Sequence, residues 1–154
     1  MRISNADTIK YTPVMERPQW LDYVKLVYPG VIYSKKNSKR IVTNRRTGRP
    51  VIVSNRNAKE QEIGMMWLFK EQAMQQGWNP KLGESYKIDI KIWQKDNHRR
   101  DLDNQATAIL DGLVKSNVIP DDNCFVLSSL SIRNCGIDKE NPRAEIYVET
   151  FEND

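Results

Sequence analysis

Apolar and polar residues alternate along several short stretches of the chain, which predicts strands with one buried face. The clearest stretch is YKIDIKIW, where Ile88, Ile90 and Ile92 fall on one side of an extended backbone. RAEIYVETF repeats the pattern, and YVKLVYPGVIY predicts a strand that breaks at Pro29 and Gly30. FVLSSLSIR adds another strand-like stretch.

Apolar residues at helical spacing predict a first long helix over about residues 57 to 76. Its apolar positions include Ile63, Met66, Trp67 and Met74, and Gly77 supplies a stop signal.

A second helix is predicted over about residues 104 to 116, with Asp103 as its N-cap. Its apolar stripe consists of Ala106, Ile109, Leu110, Leu113 and Val114. The chain should leave this helix near Asn117 and Pro120.

One apolar face per strand and two amphipathic helices predict an α+β fold with two layers. In this arrangement the two main helices pack on one face of a mixed or antiparallel sheet. The length of 154 residues fits one domain, which we place at residues 21–154. Residues 1–20 are polar, contain Pro13 and Pro18, and are predicted to form an arm or irregular lead-in.

A local excess of positive charge runs from Lys35 to Arg49. It extends into a predicted hairpin, whose strands are the β-prone runs at residues 41–43 and 51–53. The net charge of +4 permits nucleic-acid binding without arguing for it. In KKNSKRIVTNRRTGR, however, no acidic residue offsets the basic ones, so we expect this basic hairpin to contact DNA phosphates. Its basic residues are Lys35, Lys36, Lys39, Arg40, Arg45, Arg46 and Arg49.

Cysteine usage and hydropathy predict a reducing, cytoplasmic setting. Cys124 and Cys135 are too far apart for a CxxC motif and are expected to be free thiols. The N-terminal stretch lacks the apolar core of a signal peptide, and no run approaches the ~18 apolar residues of a membrane span.

Two pairs of aspartates suggest a metal site. In extended backbone the side chains of Asp101 and Asp103 project to the same side, and two charges 4 Å apart repel by roughly 4 kcal/mol at an effective dielectric near 20. A divalent cation reverses that sign, and Mg²⁺ prefers such oxygen ligands. Asp121 and Asp122 follow the second helix and are expected to return to the same end of the domain.

A plainer interpretation of these aspartates stays open. DxD is a common sequence, an N-cap role explains Asp103, and PDDN has the composition of an ordinary turn.

Between strand and helix, the loop QKDNHRR places Lys95, His98, Arg99 and Arg100 where they can contact DNA phosphates. His98 either positions water or phosphate there or is simply solvated.

The motifs RRDLDN, AILDGL and VIPDDN, in this order and spacing, resemble the signature of the RusA family of Holliday junction resolvases, many of them prophage-encoded. GVIYSKKNSKR is similar to the family's N-terminal segment, so the resemblance spans roughly residues 27 to 150. It implies an α+β fold and a magnesium-dependent homodimer that cuts four-way DNA junctions symmetrically, in DNA recombination and repair.

The resemblance also assigns roles to individual residues. Asp101, Asp103 and Asp122 match the family's essential metal-binding aspartates, while Asp121 is a neighbour that could also contact the metal. A lysine usually follows the second aspartate by four residues, and this chain has Thr107 there. That departure affects the expected catalytic power more than the expected metal binding.

The resulting hypothesis is that Asp101, Asp103 and Asp122 bind Mg²⁺, which activates water for in-line attack on a phosphodiester. The rival from another class is a non-catalytic DNA-binding module whose function is the basic hairpin. A DxD glycosyltransferase ranks last, because the sequence has no Gly-rich nucleotide site. A nuclease for flaps or forks is not distinguished from a resolvase by sequence.

Overall fold

The computed structural model describes residues 23–34, 39–54 and 56–151. The predicted arm, residues 1–20, lies outside these ranges. The elements in chain order are β1 (Tyr23–Pro29), β2 (Lys39–Thr43), β3 (Pro50–Ser54), α1 (Arg56–Gln75), β4 (Tyr86–Gln94), α2 (Leu102–Lys115), β5 (Leu127–Ile137) and β6 (Arg143–Thr150).

A mixed sheet of four strands in the order β1-β6-β4-β5 forms the centre of the fold. β6 pairs antiparallel with both β1 and β4, whereas β4 and β5 are parallel and are joined through α2. The predicted α+β class with a mixed sheet and two helices is therefore confirmed. β2 and β3 pair separately as an antiparallel hairpin, also as predicted.

The core lies between one face of the sheet and the two helices. The alternation predicted for β4 and β6 is confirmed, because Ile90 and Ile146 are fully buried while their chain neighbours are partly exposed. The apolar stripe of α2 is also confirmed: Ile109 and Leu113 belong to the same buried cluster. This packing fixes α2 across the strands that precede and follow it.

Most of the apolar positions that predict α1 lie on its exposed side. Ile63, Trp67 and Met74 are 58%, 62% and 72% exposed, whereas Met65 and Phe69 are buried. Apolar residues occur on two sides of this helix, so their spacing alone does not determine which side packs on the sheet. The buried side is the one that contacts β1 and α2.

Two glutamines, Gln72 in α1 and Gln76 directly after it, bind the backbone along the outer side of β1, an edge strand of the sheet. Gln72 accepts a hydrogen bond from the N–H of Val27 and donates one to its carbonyl, both at 2.9 Å. Gln76 does the same for Lys25, at 3.1 and 2.7 Å. These amides occupy the backbone groups that a further strand would need, so the β1 edge is closed.

Cys124 and Cys135 are free thiols, as predicted. Within the described residues, neither α1 nor α2 has the length and apolar character needed to cross a bilayer.

Candidate active site

Asp101, rather than Asp103, is the N-cap of α2. Asp101 has extended backbone angles of φ −89° and ψ 123°, and the helix begins at the next residue, Leu102. The prediction of Asp103 as N-cap is therefore wrong, because both aspartates are suitable caps and the helix starts two residues earlier than expected. Asp103 lies in the first helical turn, where an acidic side chain interacts favourably with the helix dipole.

The carboxylate of Asp101 is not used to cap the helix, whereas that of Asp103 accepts the backbone N–H of the next residue. Asp101 makes no side-chain capping hydrogen bond. Asn104 contacts both residues, with its backbone N–H 2.9 Å from Asp103 Oδ1 and its side-chain amide 3.4 Å from Asp101 Oδ2. Since both aspartates are exposed, their carboxylates face solvent beside each other at the start of α2.

A buried pair of glutamine amides holds this end of α2 against the sheet. Gln94, at the end of β4, and Gln105, in α2, exchange two hydrogen bonds at 3.0 and 3.2 Å. Gln105 also donates to the carbonyl of Ile32 at 3.1 Å. Because Gln105 is 1% exposed, this network fixes the first turn of α2, and with it both aspartates, at the carboxyl end of β4.

Asp96 organises the loop between β4 and α2, a role that the sequence analysis missed. It forms an ion pair with Arg100 at 2.9 Å and accepts a hydrogen bond from the backbone N–H of His98 at 3.1 Å. The hydrogen bond from the Arg100 side chain is the main cause that lowers the pKa of Asp96. Arg100 is thus held by a carboxylate, while Lys95 and Arg99 are exposed. The sequence separation of four residues between Asp96 and Arg100 is the signal from which this ion pair could have been predicted.

A pocket of about 340 Å³ opens beside Asp101. It is lined by both arginines of the loop and by polar groups from the segment after β1 and from α2. These residues are Ile32, Tyr33, Ser34, Arg99, Arg100, Asp101, Asn104 and Gln105. Cationic and anionic side chains therefore share one concave surface, which suits a phosphodiester held next to a carboxylate.

Asp121 and Asp122 have different roles in the turn that follows α2. Asp121 accepts hydrogen bonds from the backbone N–H of Asp122 at 2.7 Å and from the side chain of Asn123 at 3.0 Å. The first of these is the main cause that lowers the pKa of Asp121. The Asp121 side chain stabilises the turn by these hydrogen bonds, in agreement with the interpretation of PDDN as an ordinary turn. Asp122 is exposed beside it.

The two pairs of aspartates lie at opposite ends of α2. β5 is parallel to β4 and begins beside Tyr86, the first residue of β4, so the segment with Asp122 lies at the amino end of β4. Asp101 follows the carboxyl end, and a helix of 14 residues is about 21 Å long. In the described part of the chain, no three acidic, histidine or cysteine side chains are grouped to hold a metal ion. The expected return of Asp122 to the Asp101 end does not occur within one chain.

Asn44 fixes the turn of the β2–β3 hairpin. Its side-chain oxygen accepts from the backbone N–H of Arg46 at 2.9 Å, and its carbonyl accepts from Gly48 at 2.7 Å. Gly48 has a φ of 72°, a conformation that glycine adopts without strain. The turn therefore presents its arginines in a defined conformation.

The predicted DNA-binding residues of the basic hairpin fall into three groups. Exposed at the turn are Arg45, Arg46 and Arg49. Lys39 and Arg40 belong to β2, but their side chains lie outside the described ones. Lys35 and Lys36 lie outside the described residues altogether.

One family model, described as endodeoxyribonuclease RusA, matches residues 29–149. The matched region runs from the end of β1 almost to the end of β6 and contains all four aspartates discussed above. A comparison with curated proteins gives no match.

Proposed function

Because the chain belongs to the RusA family of endodeoxyribonucleases, we propose that it resolves four-way DNA junctions by paired, symmetric, Mg²⁺-dependent nicks. The observation that carries this proposal is the pair Asp101 and Asp103, two exposed carboxylates at the start of α2, of which Asp101 makes no capping hydrogen bond. Asp101 lines a pocket together with Arg99 and Arg100, so a phosphodiester and a metal-binding carboxylate can meet there.

The chemistry of the aspartates fits Mg²⁺, which prefers carboxylate oxygens and retained waters. Asp101, Asp103 and Asp122 are the proposed ligands, and Asp121 is an additional candidate whose carboxylate already serves the turn. Bound Mg²⁺ supplies Lewis-acid polarisation of a phosphodiester and a more acidic bound water.

Basic residues around the pocket have the proposed role of holding the DNA backbone. Arg99 and Lys95 are exposed and can contact phosphates, whereas Arg100 is oriented by Asp96. The exposed arginines of the hairpin turn add contacts that fix position rather than sequence. His98, exposed in the same loop, is proposed to contact phosphate.

A second copy of the chain is proposed to complete the ligand set. Asp122 lies at the far end of α2 from Asp101 and Asp103, so the three cannot share a metal within one chain. In a symmetric dimer, Asp122 of each copy can join the first two aspartates of the other. Such a dimer has two equivalent sites, which suits two symmetric nicks in opposed strands.

The test of the proposed function is cleavage of a synthetic four-way junction in Mg²⁺ and in EDTA, with linear duplex and flap DNA as controls. We expect paired nicks at symmetric positions that require Mg²⁺ and are sealed by a ligase. Tight junction binding in both buffers without any nick would show that the chain is a DNA-binding module. Preferential cutting of the flap would assign it to flap or fork DNA instead.

Thr107 offers a gain-of-function prediction. It is exposed on α2 one turn after Asp103, and its hydroxyl donates to the Asp103 carbonyl at 3.0 Å. Thr107→Lys would place an ammonium group on the side of the helix that carries the carboxylates, where it can stabilise negative charge on the phosphate. We expect the single-turnover cleavage rate to rise roughly tenfold. Thr107→Gln, which lengthens the side chain without charge, is the control, and an equal rise there would exclude a charge effect.

A further inference from the structure

Among the described residues, the hydroxyl of Ser34 is the one buried polar side-chain group that has no hydrogen-bond partner. The buried amides of Gln94 and Gln105, by contrast, are paired with each other. A hydroxyl that has left water without gaining a new hydrogen bond destabilises the fold. This hydroxyl is therefore available as a donor to a molecule that binds beside it.

Ser34 lines the pocket that Arg99, Arg100 and Asp101 also line. The residue as a whole is only partly buried, so rotation about its Cα–Cβ bond can turn the hydroxyl towards the pocket. Ser34 belongs to the segment that follows β1, whereas the charged residues come from the loop before α2. A molecule in the pocket can therefore be contacted by Ser34 as well as by the arginines.

Amide side chains from both helices fix the segment that carries Ser34. Gln61, in α1, accepts a hydrogen bond from the backbone N–H of Tyr33 at 2.7 Å and donates one to its carbonyl at 2.8 Å. Gln105, in α2, donates to the carbonyl of Ile32 at 3.1 Å. Both glutamines are buried, so water does not compete for these hydrogen bonds. The same helix that carries the two aspartates thus also helps to hold Ser34 in place.

The composition of the pocket indicates what Ser34 would bind. Arg99 and Arg100 favour an anion, and Arg100 is held in orientation by its ion pair with Asp96. The non-bridging oxygens of a phosphodiester accept hydrogen bonds and have none to donate, and serine is among the residues that bind them. A serine hydroxyl can donate one hydrogen bond without adding a charge. The Ser34 hydroxyl therefore fits a phosphate oxygen that two arginines attract.

We propose that the Ser34 hydroxyl donates a hydrogen bond to a non-bridging oxygen of the phosphodiester that is cut. A donor held in place before the reaction stabilises negative charge on the phosphate without rearrangement of the site. Ser34 then touches the reacting group, whereas Gln61 is a positioning residue that acts through residues 32–34. This inference rests on the proposed function and adds an uncharged residue from outside the aspartate motifs to its site.

The first test measures single-turnover cleavage of a four-way junction in Mg²⁺ by three variants of Ser34. Ser34→Ala should cut about tenfold to hundredfold more slowly than the wild type, which is the effect of one hydrogen bond to a charged group. Ser34→Thr and Ser34→Val have nearly the same shape and differ in the hydroxyl. The threonine variant should therefore cut at least about fivefold faster than the valine variant. A wild-type rate for Ser34→Ala, or equal rates for the threonine and valine variants, would overturn the proposal.

Thermal unfolding separates this contact from a structural role of the hydroxyl. Because the Ser34 hydroxyl has no partner among the described residues, Ser34→Ala should leave the melting temperature unchanged or raise it. Ser116 is the matched control, since its hydroxyl is also buried but donates to the carbonyl of Leu113 at 3.1 Å. Ser116→Ala should lower the melting temperature by about 3 °C and leave the cleavage rate within about twofold. An equal loss of stability in Ser34→Ala would assign its hydroxyl to the fold and overturn the proposal.

Junction binding in EDTA lets this inference and the proposed function fail separately. If the wild type and Ser34→Ala cut equally well, the nuclease stands and the Ser34 contact is refuted. If the wild type binds a junction and never cuts it, the nuclease is refuted. In that case Ser34→Ala should still bind about threefold to tenfold more weakly, because the phosphate contact needs no metal. Unchanged binding would then refute the Ser34 contact as well.

Discussion

Asp103→Asn is expected to slow four-way junction cleavage by about 10³-fold, equivalent to about 4 kcal/mol of transition-state stabilisation. The amide keeps the size of the side chain and can still accept the hydrogen bond from Asn104, but it loses the charge that binds a divalent cation. Removal of one charge near the start of the helix should cost only about 0.3 to 1 kcal/mol of stability. The rate should therefore fall far more than the stability.

Single-turnover cleavage, junction binding and thermal unfolding of the variant together separate these effects. Binding should remain within about threefold, because phosphate contacts by basic residues provide most of the affinity. Asp89→Asn, the same chemical change on the sheet, is the control and should cut at the wild-type rate. If Asp103→Asn cut at nearly that rate, Asp103 would have no part in catalysis.

Mixing two inactive variants, Asp103→Asn and Asp122→Asn, is expected to restore nicking. If each site takes Asp103 from one copy and Asp122 from the other, a mixed dimer has one site with both lesions and one intact site. Free exchange of subunits should give mixed dimers as about half of the population, and hence about a quarter of the wild-type number of sites. These dimers should nick one strand of a junction without the symmetric second nick.

The control for this experiment is a mixture of Asp101→Asn with Asp103→Asn. Both lesions then affect the same half of the ligand set, so every site is damaged and no activity should return. Binding of Mn²⁺, followed by electron paramagnetic resonance, should recover in the first mixture and not in the second. Failure of the first mixture to recover, with a wild type that cuts, would place all the ligands in one chain.

The strands and α2 could be predicted because their apolar residues lie mainly on one face, which must be the face that packs in the core. In each of β4, β6 and α2 the buried apolar positions lie on one face, and these faces pack together in one core. α1 is different, since apolar residues occur on two of its sides. Its buried side is selected by close contact with α2, where a Cβ at Gly112 would lie 3.0 Å from the Met65 side chain. That contact is a property of two helices together and is not visible in either segment alone.

The sequence identifies candidate residues for the site but not how the fold arranges them. The charge and spacing of Asp101 and Asp103 drew attention to the segment where α2 begins, although the helix starts at Leu102 and not after Asp103. The position of Asp122 depends on whether β5 runs parallel or antiparallel to β4, and alternation in a strand is the same for both directions. Because β5 is parallel, the turn before it lies at the far end of α2.

The glutamine contacts on β1 bear on how large an assembly can become. With Gln72 and Gln76 bound to the backbone of that strand, a copy of the chain offers one side for extension rather than two. Among the described residues, the edge that remains for pairing with another strand is that of β5. A sheet with one open edge can join at most one other sheet, so stacking of copies into a filament through their sheets is excluded.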